Sequence, residues 1–343
     1  MKNKRHSIKD IAAEIGVSVT TVSFVLNGKA QEKKISKAVT ERILKYVEKI
    51  KYKPNQIAQS LRTGKSKIIV FMVEDISNYF FAKLARIIED IAYKKGYKVI
   101  FCSNENDDDK SIDLINLFKD RQIDGYIIIP SSGIMTHIKE LIEEGIPVIL
   151  FDRYFPELDS NYVIVNNKEA SYHATQHLIA NKFQHIGFIS IDVAQTQMLD
   201  RLQGYKDAIK DAGLKEYIIQ LPLQDLNLTS GGGEMYIKQF IDDTPELDAV
   251  YFATNYLALS GLEVFKKYFP EYITKLGIIT FDDLDFFEIY TPTISAVSQP
   301  FSKIAQNIMN LMLTLLKDDN KHTATTKIKL ETSLEIRSSS QAK

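Results

Sequence analysis

The stretch SIKDIAAEIGVSVTTVSFVLNG, residues 7–28, reads as two short helices joined by a tight turn. Ser7 offers a side-chain acceptor and Asp10, three residues on, an acid, a pairing that opens a helix. Ile8, Ile11, Ala12 and Ile15 then share one face, and Gly16 stops the helix. Ser18 is the next candidate cap; beyond it Val22, Val25 and Leu26 form an apolar stripe that leaves Thr20, Thr21 and Ser23 facing outward. Asn27-Gly28 ends that helix, and a third is expected from about Ser36 to Lys51, with Val39, Ile43, Val47 and Ile50 packed inward.

Working outward, Tyr52-Lys53-Pro54-Asn55 breaks the third helix, because proline disfavours helix at the preceding residue and can begin a new one. Residues 56–62 make a helix too short to stand alone, followed by the basic linker Thr63-Gly64-Lys65-Ser66-Lys67. Such a segment orders on a partner. Two short helices across a glycine turn fit helix-turn-helix geometry, whose second helix enters the major groove of DNA. Charge agrees with a polyanionic partner. Residues 1–67 carry 16 Lys/Arg against 5 Asp/Glu, whereas the remainder carries 27 against 39, so a formal net charge of -1 conceals a cationic head and an acidic body.

At 343 residues the chain exceeds what one core usually organises. Its 45% hydrophobic and 25% charged content is that of a soluble globular protein. The longest apolar runs, Tyr126 to Ile129 and Gly145 to Phe151, are too short for a bilayer span, and Met1 to Ser18 lacks the apolar core of a secretory signal, so a cytoplasmic protein with no membrane partner is expected. Cys102 stands alone, which excludes an internal disulfide and a cysteine-rich zinc module; it reads as a small buried hydrophobe.

Beyond Lys67 the pattern becomes strand then helix, repeatedly. Strands are expected at Ile68–Val73, Lys98–Cys102, Tyr126–Pro130 and Val148–Phe151, with amphipathic segments such as Phe81–Lys95 and Ile134–Glu144 between them. A second series follows at Ile186–Ser190, Ile218–Leu221, Ala249–Ala253 and Ile278–Phe281. Two such series make an α/β body of two doubly wound parallel sheets, with a ligand cleft beyond the carboxyl ends of the strands. Asp152 with Arg153, Asp192, Asn255, and Asp282 with Asp283 end those strands and suit the hydroxyls of a polyol.

The ordered motifs Ile8-Lys9-Asp10-Ile11-Ala12, Gly16-Val17-Ser18, Thr21 to Gly28, Tyr52-Lys53-Pro54-Asn55 and Ala58-Gln59-Ser60-Leu61-Arg62 strongly resemble the LacI/GalR family of transcription regulators. The body resembles that family's sensor, itself similar to periplasmic sugar-binding proteins, through Asp75 to Phe81, Asp124-Gly125, Ile149 to Arg153, Arg201 to Tyr205, Phe281-Asp282-Asp283 and Ser298-Gln299-Pro300. The resemblance implies DNA contacts in the head on Ser7, Lys9, Ser18, Val19, Thr20, Thr21, Ser23, Phe24, Asn27 and Lys29. It implies a paired hinge helix in the minor groove, bearing Asn55, Ala58, Gln59, Leu61 and Arg62, with Leu61 wedged between base pairs. Lys9, Lys29, Lys33, Lys34 and Lys37 would position the head on phosphates. Phe24 departs from the arginine most members carry; it either touches a thymine methyl group or packs under the hinge. Effector contacts are implied on Asn78, Phe80, Asp152, Arg201, Asn255, Asp282, Gln299 and Phe301. Asn166 and Tyr256 stand where aspartates are usual, which would alter the polarity of the pocket.

Other constellations lack parts. His173 and His177 have the spacing of a zinc pair without a completing ligand; Asp107-Asp108-Asp109 lacks the glycine of a calcium loop; Gly231-Gly232-Gly233 lacks the lysine of a phosphate loop. No nucleophile elbow is present. No cofactor, metal or catalytic residue is expected. The expected organisation is a head over residues 1–53, a hinge over 54–67 and a sensor over 68–343, with lobe 1 at about 68–164 plus 297–322 and lobe 2 at about 165–294 plus 325–343. The expected function is that of a homodimeric regulator, a repressor of carbohydrate genes, binding a palindromic operator under control of a sugar effector. A sugar-binding transport protein with an appended basic domain is the alternative.

Overall fold

The computed structural model describes residues 6–52, 64–225, 233–317 and 324–341. The chain divides into two units, Met1–Ser66 and Lys67–Lys343. In the first, helices α1 (Ile8–Ile15), α2 (Val19–Leu26) and α3 (Lys37–Lys49) surround a core of Ile11, Ala12, Ile15, Val22, Val25 and Ile43. Each fully buried aliphatic side chain of this kind contributes about 1.5–3 kcal/mol. A capping box starts α1: the Asp10 N–H donates to Ser7 Oγ at 3.2 Å and the Ser7 N–H to Asp10 Oδ2 at 2.7 Å. Gly16, at φ 71°, ends it in the left-handed conformation that glycine tolerates. Ser18 caps α2 by accepting from the Thr21 N–H at 3.0 Å, and Arg42 of α3 donates to the Ile15 carbonyl at 2.6 Å, pairing an otherwise orphaned acceptor at the end of α1.

The second unit contains two six-stranded sheets among the described residues. Sheet one joins β1 (Ile68–Val73), β2 (Lys98–Ser103), β3 (Gly125–Ile128), β4 (Val148–Phe151) and β5 (Asn161–Val165) to a late strand, β11 (Lys327–Leu330), in the all-parallel order β11-β5-β4-β3-β1-β2. Sheet two joins β6 (Ile186–Asp192), β7 (Tyr217–Pro222), β8 (Ala249–Phe252), β9 (Gly277–Phe281) and β10 (Ser295–Ser298) to β12 (Ser333–Glu335), in the order β12-β10-β9-β8-β6-β7, with β12 antiparallel. The two orders are the same, strand for strand. Alternation along β1 sends Ile69, Phe71 and Val73 into one core and Val70 and Met72 into another, which is why IIVFMV is continuously apolar. Helix α4 (Tyr79–Lys94) covers the first face, while α5 (Asp108–Asp120) and α6 (Met135–Glu143) cover the second.

Helices α7 (Asn167–Ala180), α8 (Thr196–Asp211), α9 (Glu234–Asp243), α10 (Asn255–Tyr268), α11 (Tyr272–Lys275) and α12 (Asp285–Ile289) belong to lobe two, and α13 (Phe301–Leu315) returns to pack beside α4 on lobe one. The chain therefore crosses between lobes three times, after β5, β10 and β11. Asn166 joins the first and third crossings: its Oδ1 accepts from the Thr332 N–H at 2.9 Å and from Thr332 Oγ1 at 3.0 Å, and its Nδ2 donates to Glu331. This corrects the expected effect of Asn166 on pocket polarity, since its side chain is spent on the crossover. The lobe boundaries also differ from expectation. Residues 327–330, expected in lobe two, pair with β5 of lobe one, and 297–298, expected in lobe one, belong to β10 of lobe two. Among the described residues no helix is long and apolar enough to cross a membrane.

Candidate DNA-reading face and effector cleft

On the head, Val22 and Val25 hold α2 to the core, so Val19 and Thr20 are exposed and Thr21, Ser23 and Phe24 half-buried. Three of the polar candidates also shape the backbone. Ser7 and Ser18 are caps, Thr21 Oγ1 lies 2.8 Å from Ser18 Oγ, and Asn27 Nδ2 donates to the Ser23 carbonyl at 2.6 Å. The Phe24 ring lies under Lys33, whose Nζ is 5.6 Å from its centroid, a cation–π distance. Lys9, Lys29, Lys33, Lys34 and Lys37 are all exposed. The hinge candidates Asn55, Ala58, Gln59, Leu61 and Arg62 lie outside the described residues.

In the second unit a narrow cleft opens between the lobes at the carboxyl ends of both sheets, the position at which such folds hold ligands. Asp152 follows β4 and Asp282 follows β9, both in left-handed backbone at φ 68° and 70°. Burial pushes the Asp152 carboxyl up to about 6 against the pull of Arg201 and Arg153; burial also raises Asp282, opposed by Arg201 and Gln299. Arg201, on α8, is fixed on three sides. Its Nε donates to Asn167 Oδ1 at 2.9 Å, its Nη1 donates to the Ala253 carbonyl at 2.8 Å and lies 3.6 Å from Asp282 Oδ2, and its guanidinium carbon stacks 3.6 Å from the Phe281 ring centroid. Gln299 Nε2 donates to Asp282 Oδ1 at 2.6 Å.

Of the effector candidates, Asn78, Phe80, Asp152, Arg201, Asp282 and Gln299 line this cleft together. Asn78 also caps α4, its Oδ1 accepting from the Phe80 N–H at 3.0 Å. Asn255 and Phe301 are not among the lining residues: Asn255 is buried beside the wall with Nδ2 3.5 Å from Asn78 Oδ1, and Phe301 packs its ring 5.3 Å from that of Phe80. Asp192 is exposed and away from the lining, while Asp283 is held by a two-pronged pair with Arg337, both distances 2.8 Å.

Sequence reading missed Glu74, Asn106, Gln195, Gln197 and Thr254, which add polar groups to the lining, and Phe81, Ile191, Val193, Met198 and Leu223, which add apolar ones. Tyr256 also lines the cleft, and burial raises the pKa of its phenol, so the position usually held by aspartate presents a neutral aromatic wall. The available signal was position: Asn106 follows β2 at the carboxyl edge that carries Asp152, and Gln195 follows β6 at the edge that carries Asp282. Among the described residues, side-chain contacts across the lobes include Asn106–Gln195 at 3.3 Å, Asn78–Asn255 at 3.5 Å, Thr196 to the Tyr154 N–H at 3.4 Å and Lys83–Asp285 at 3.4 Å, all long for hydrogen bonds. Nearer the crossovers, Lys329 of β11 pairs with Glu169 of α7 at 2.5 Å. Among the described residues no group of three or more His, Cys, Asp and Glu could hold a metal ion, and burial pushes the Cys102 thiol up to about 12.

Residues 66–335 match the family model for periplasmic binding proteins and the sugar-binding domain of the LacI family, and residues 7–55 match that for bacterial regulatory proteins of the lacI family. The chain is similar to catabolite control protein A of Priestia megaterium, 28% identical over 94% of this chain and 95% of that one. It is also similar to the ribose operon repressor of Halalkalibacterium halodurans, 28% identical over 86% of this chain and 85% of the other. In fold it matches the Lac repressor dimer bound to operator and the anti-inducer ONPF, with a TM-score of 0.84 and 18% identity over 99% of this chain and all of that one.

Proposed function

Because the chain belongs to the LacI family of bacterial regulatory proteins, we propose that it is a cytoplasmic, homodimeric repressor of carbohydrate genes whose DNA binding is set by a sugar in the inter-lobe cleft. The observation that carries this reading is the cleft itself. Ionised and amide side chains from both lobes converge on one space walled by Phe80, Phe81 and Tyr256, the mixture a pyranose or furanose needs for hydroxyl hydrogen bonds and apolar ring contact. The family description of residues 66–335 as a sugar-binding domain and the naming of one relative as a ribose operon repressor support the ligand class.

In the head, α2 offers Val19, Thr20 and Thr21 to base edges, and exposed lysines supply phosphate contacts. Each head reads a half-site, so two copies read a palindrome. The effector shifts DNA binding only to the extent that it prefers one arrangement of the lobes over the other. The relatives matched are transcription regulators, and the cleft is read as a binding site with no catalytic role.

Selection of bound duplexes from a random pool, followed by gel shifts across a carbohydrate panel, tests the proposal. Enrichment of a palindrome whose retention changes with one sugar is the expected result. Equal retention of all duplexes, with every sugar, would sink it.

A further inference from the structure

Resting on the carbohydrate reading, we infer that the cleft selects an uncharged polyhydroxylated effector and rejects its phosphorylated or carboxylated counterparts. A phosphate or carboxylate brings only acceptors and requires donors that are still free. The cleft has the opposite surplus. Arg153 is buried and spends each guanidinium nitrogen inside the protein: Nε on the Pro130 carbonyl at 2.7 Å, Nη1 on Glu74 at 3.4 Å and Nη2 on Asn106 Oδ1. Arg201 keeps only Nη2 without a hydrogen-bond partner among the described residues. Against these two cations stand Glu74, Asp152 and Asp282. Three helices also begin at the cleft, and their N-termini would draw an anion. At two of them one donor is already answered, since Asn78 accepts from the Phe80 N–H on α4 and Thr254 accepts from the Leu257 N–H of α10 at 3.4 Å, while α8 begins without a side-chain cap.

A relay of amides adds an acceptor whose identity is forced. Arginine can only donate, so the Asn106 atom facing Arg153 is oxygen. Gln195 must then present nitrogen to that same oxygen, at 3.3 Å, and turn its own oxygen to Gln197 Nε2, at 3.2 Å. Gln197 Oε1 is left as the terminal acceptor, buried and without a partner, on a residue that lines the cleft. The Asp152 carboxylate likewise accepts no hydrogen bond among the described residues, though it lines the same space. Two unpaired acceptors, one of them ionisable, call for a ligand that donates, and sugar hydroxyls donate and accept at once.

The full-length protein would be titrated by calorimetry with neutral pentoses, hexoses and disaccharides, each beside its phosphate ester or uronate, with amino acids and nucleobases as a third arm. The expected result is one neutral sugar bound at least about 100-fold more tightly than its charged counterpart. Asp152→Asn should narrow that ratio by about tenfold or more, weakening the sugar while easing entry of the phosphate; a merely structural role for Asp152 would weaken both in proportion. A sugar phosphate bound as tightly as its parent overturns the inference and leaves the carbohydrate reading standing. Binding only in the third arm, or in none, overturns that reading and the inference with it.

Discussion

Asp152 and Asp282 occupy the same place in two copies of one sheet plan, each following the third strand from its sheet's late-joining edge and each held at positive φ. A non-glycine residue there carries backbone strain, tolerated because the turn aims a carboxylate into the cleft. Their equivalence means that closing the lobes brings like charges toward one ligand. Asp152 feels this as an upward push from Asp282, secondary to burial.

A pH dependence follows from Asp152. Its folded-state pKa, about 6, lies above the ordinary 3.8, so between those values the folded protein holds a proton the unfolded chain has released. Stability of the free protein should therefore fall as pH rises from 4 to about 6.5, by at most roughly 3 kcal/mol from this group. Effector affinity should move the opposite way, weakening about tenfold between pH 7 and pH 5 as the carboxylate is protonated. Calorimetric titration at three pH values decides it, and a flat affinity profile would remove Asp152 from the contact set.

Arg201→Ala would strand the Ala253 carbonyl and Asn167 Oδ1 and leave the Asp282 carboxylate without its counter-charge, held by Gln299 alone among the described residues. Removing one partner of a buried pair costs about 3–5 kcal/mol. The melting temperature should fall, and effector binding should drop by more than about 100-fold. Arg201→Lys keeps the charge but loses the planar fork and the stack on Phe281, so it should recover stability only in part and binding hardly at all. Full recovery by lysine would reduce Arg201 to a point charge.

Gly204, on α8, permits a close crossing of α7. A Cβ there would sit 2.1 Å from the Lys168 carbonyl oxygen and 2.8 Å from the Tyr172 nitrogen, both backbone atoms. Gly204→Ala must separate the helices, at about 1–3 kcal/mol or more, and should weaken effector binding because Arg201 lies three residues away on α8. Thermal melts with and without effector test this; wild-type stability would contradict the geometry.

Lys29→Ala removes an exposed cation just beyond α2 and should weaken binding to all duplexes alike, lowering the log-log salt slope by about one. Thr20→Ala, on the exposed face of α2, should instead change which base is preferred at one operator position. Competition footprinting over a salt series separates the two. An unchanged slope in the lysine variant would place Lys29 off the phosphates.

Features set by local chemistry were legible in the sequence. The caps Ser7 and Ser18, the stop at Gly16 and the apolar run of β1 depend on neighbours within a turn or a strand, and each stands where the pattern put it. Strands β11 and β12 were not legible, because Lys327–Leu330 and Ser333–Glu335 are short and partly exposed, and gain their identity from partners more than 30 residues away. The cleft divides in the same way. Asp152 and Asp282 announce themselves as charges ending buried strands, whereas Asn106, Gln195 and Gln197 become a relay only once two lobes meet.

The late arrival of β11 has a consequence for synthesis. On the ribosome, β5 emerges with its outer edge open, and the strand that covers it follows some 160 residues later. At translation rates of about 5–20 residues per second that is roughly 8–30 s, during which a bare strand of the nascent chain can recruit the wrong neighbour. Neither lobe can be excised as a contiguous fragment, and folding of the sensor is obliged to wait for its own tail.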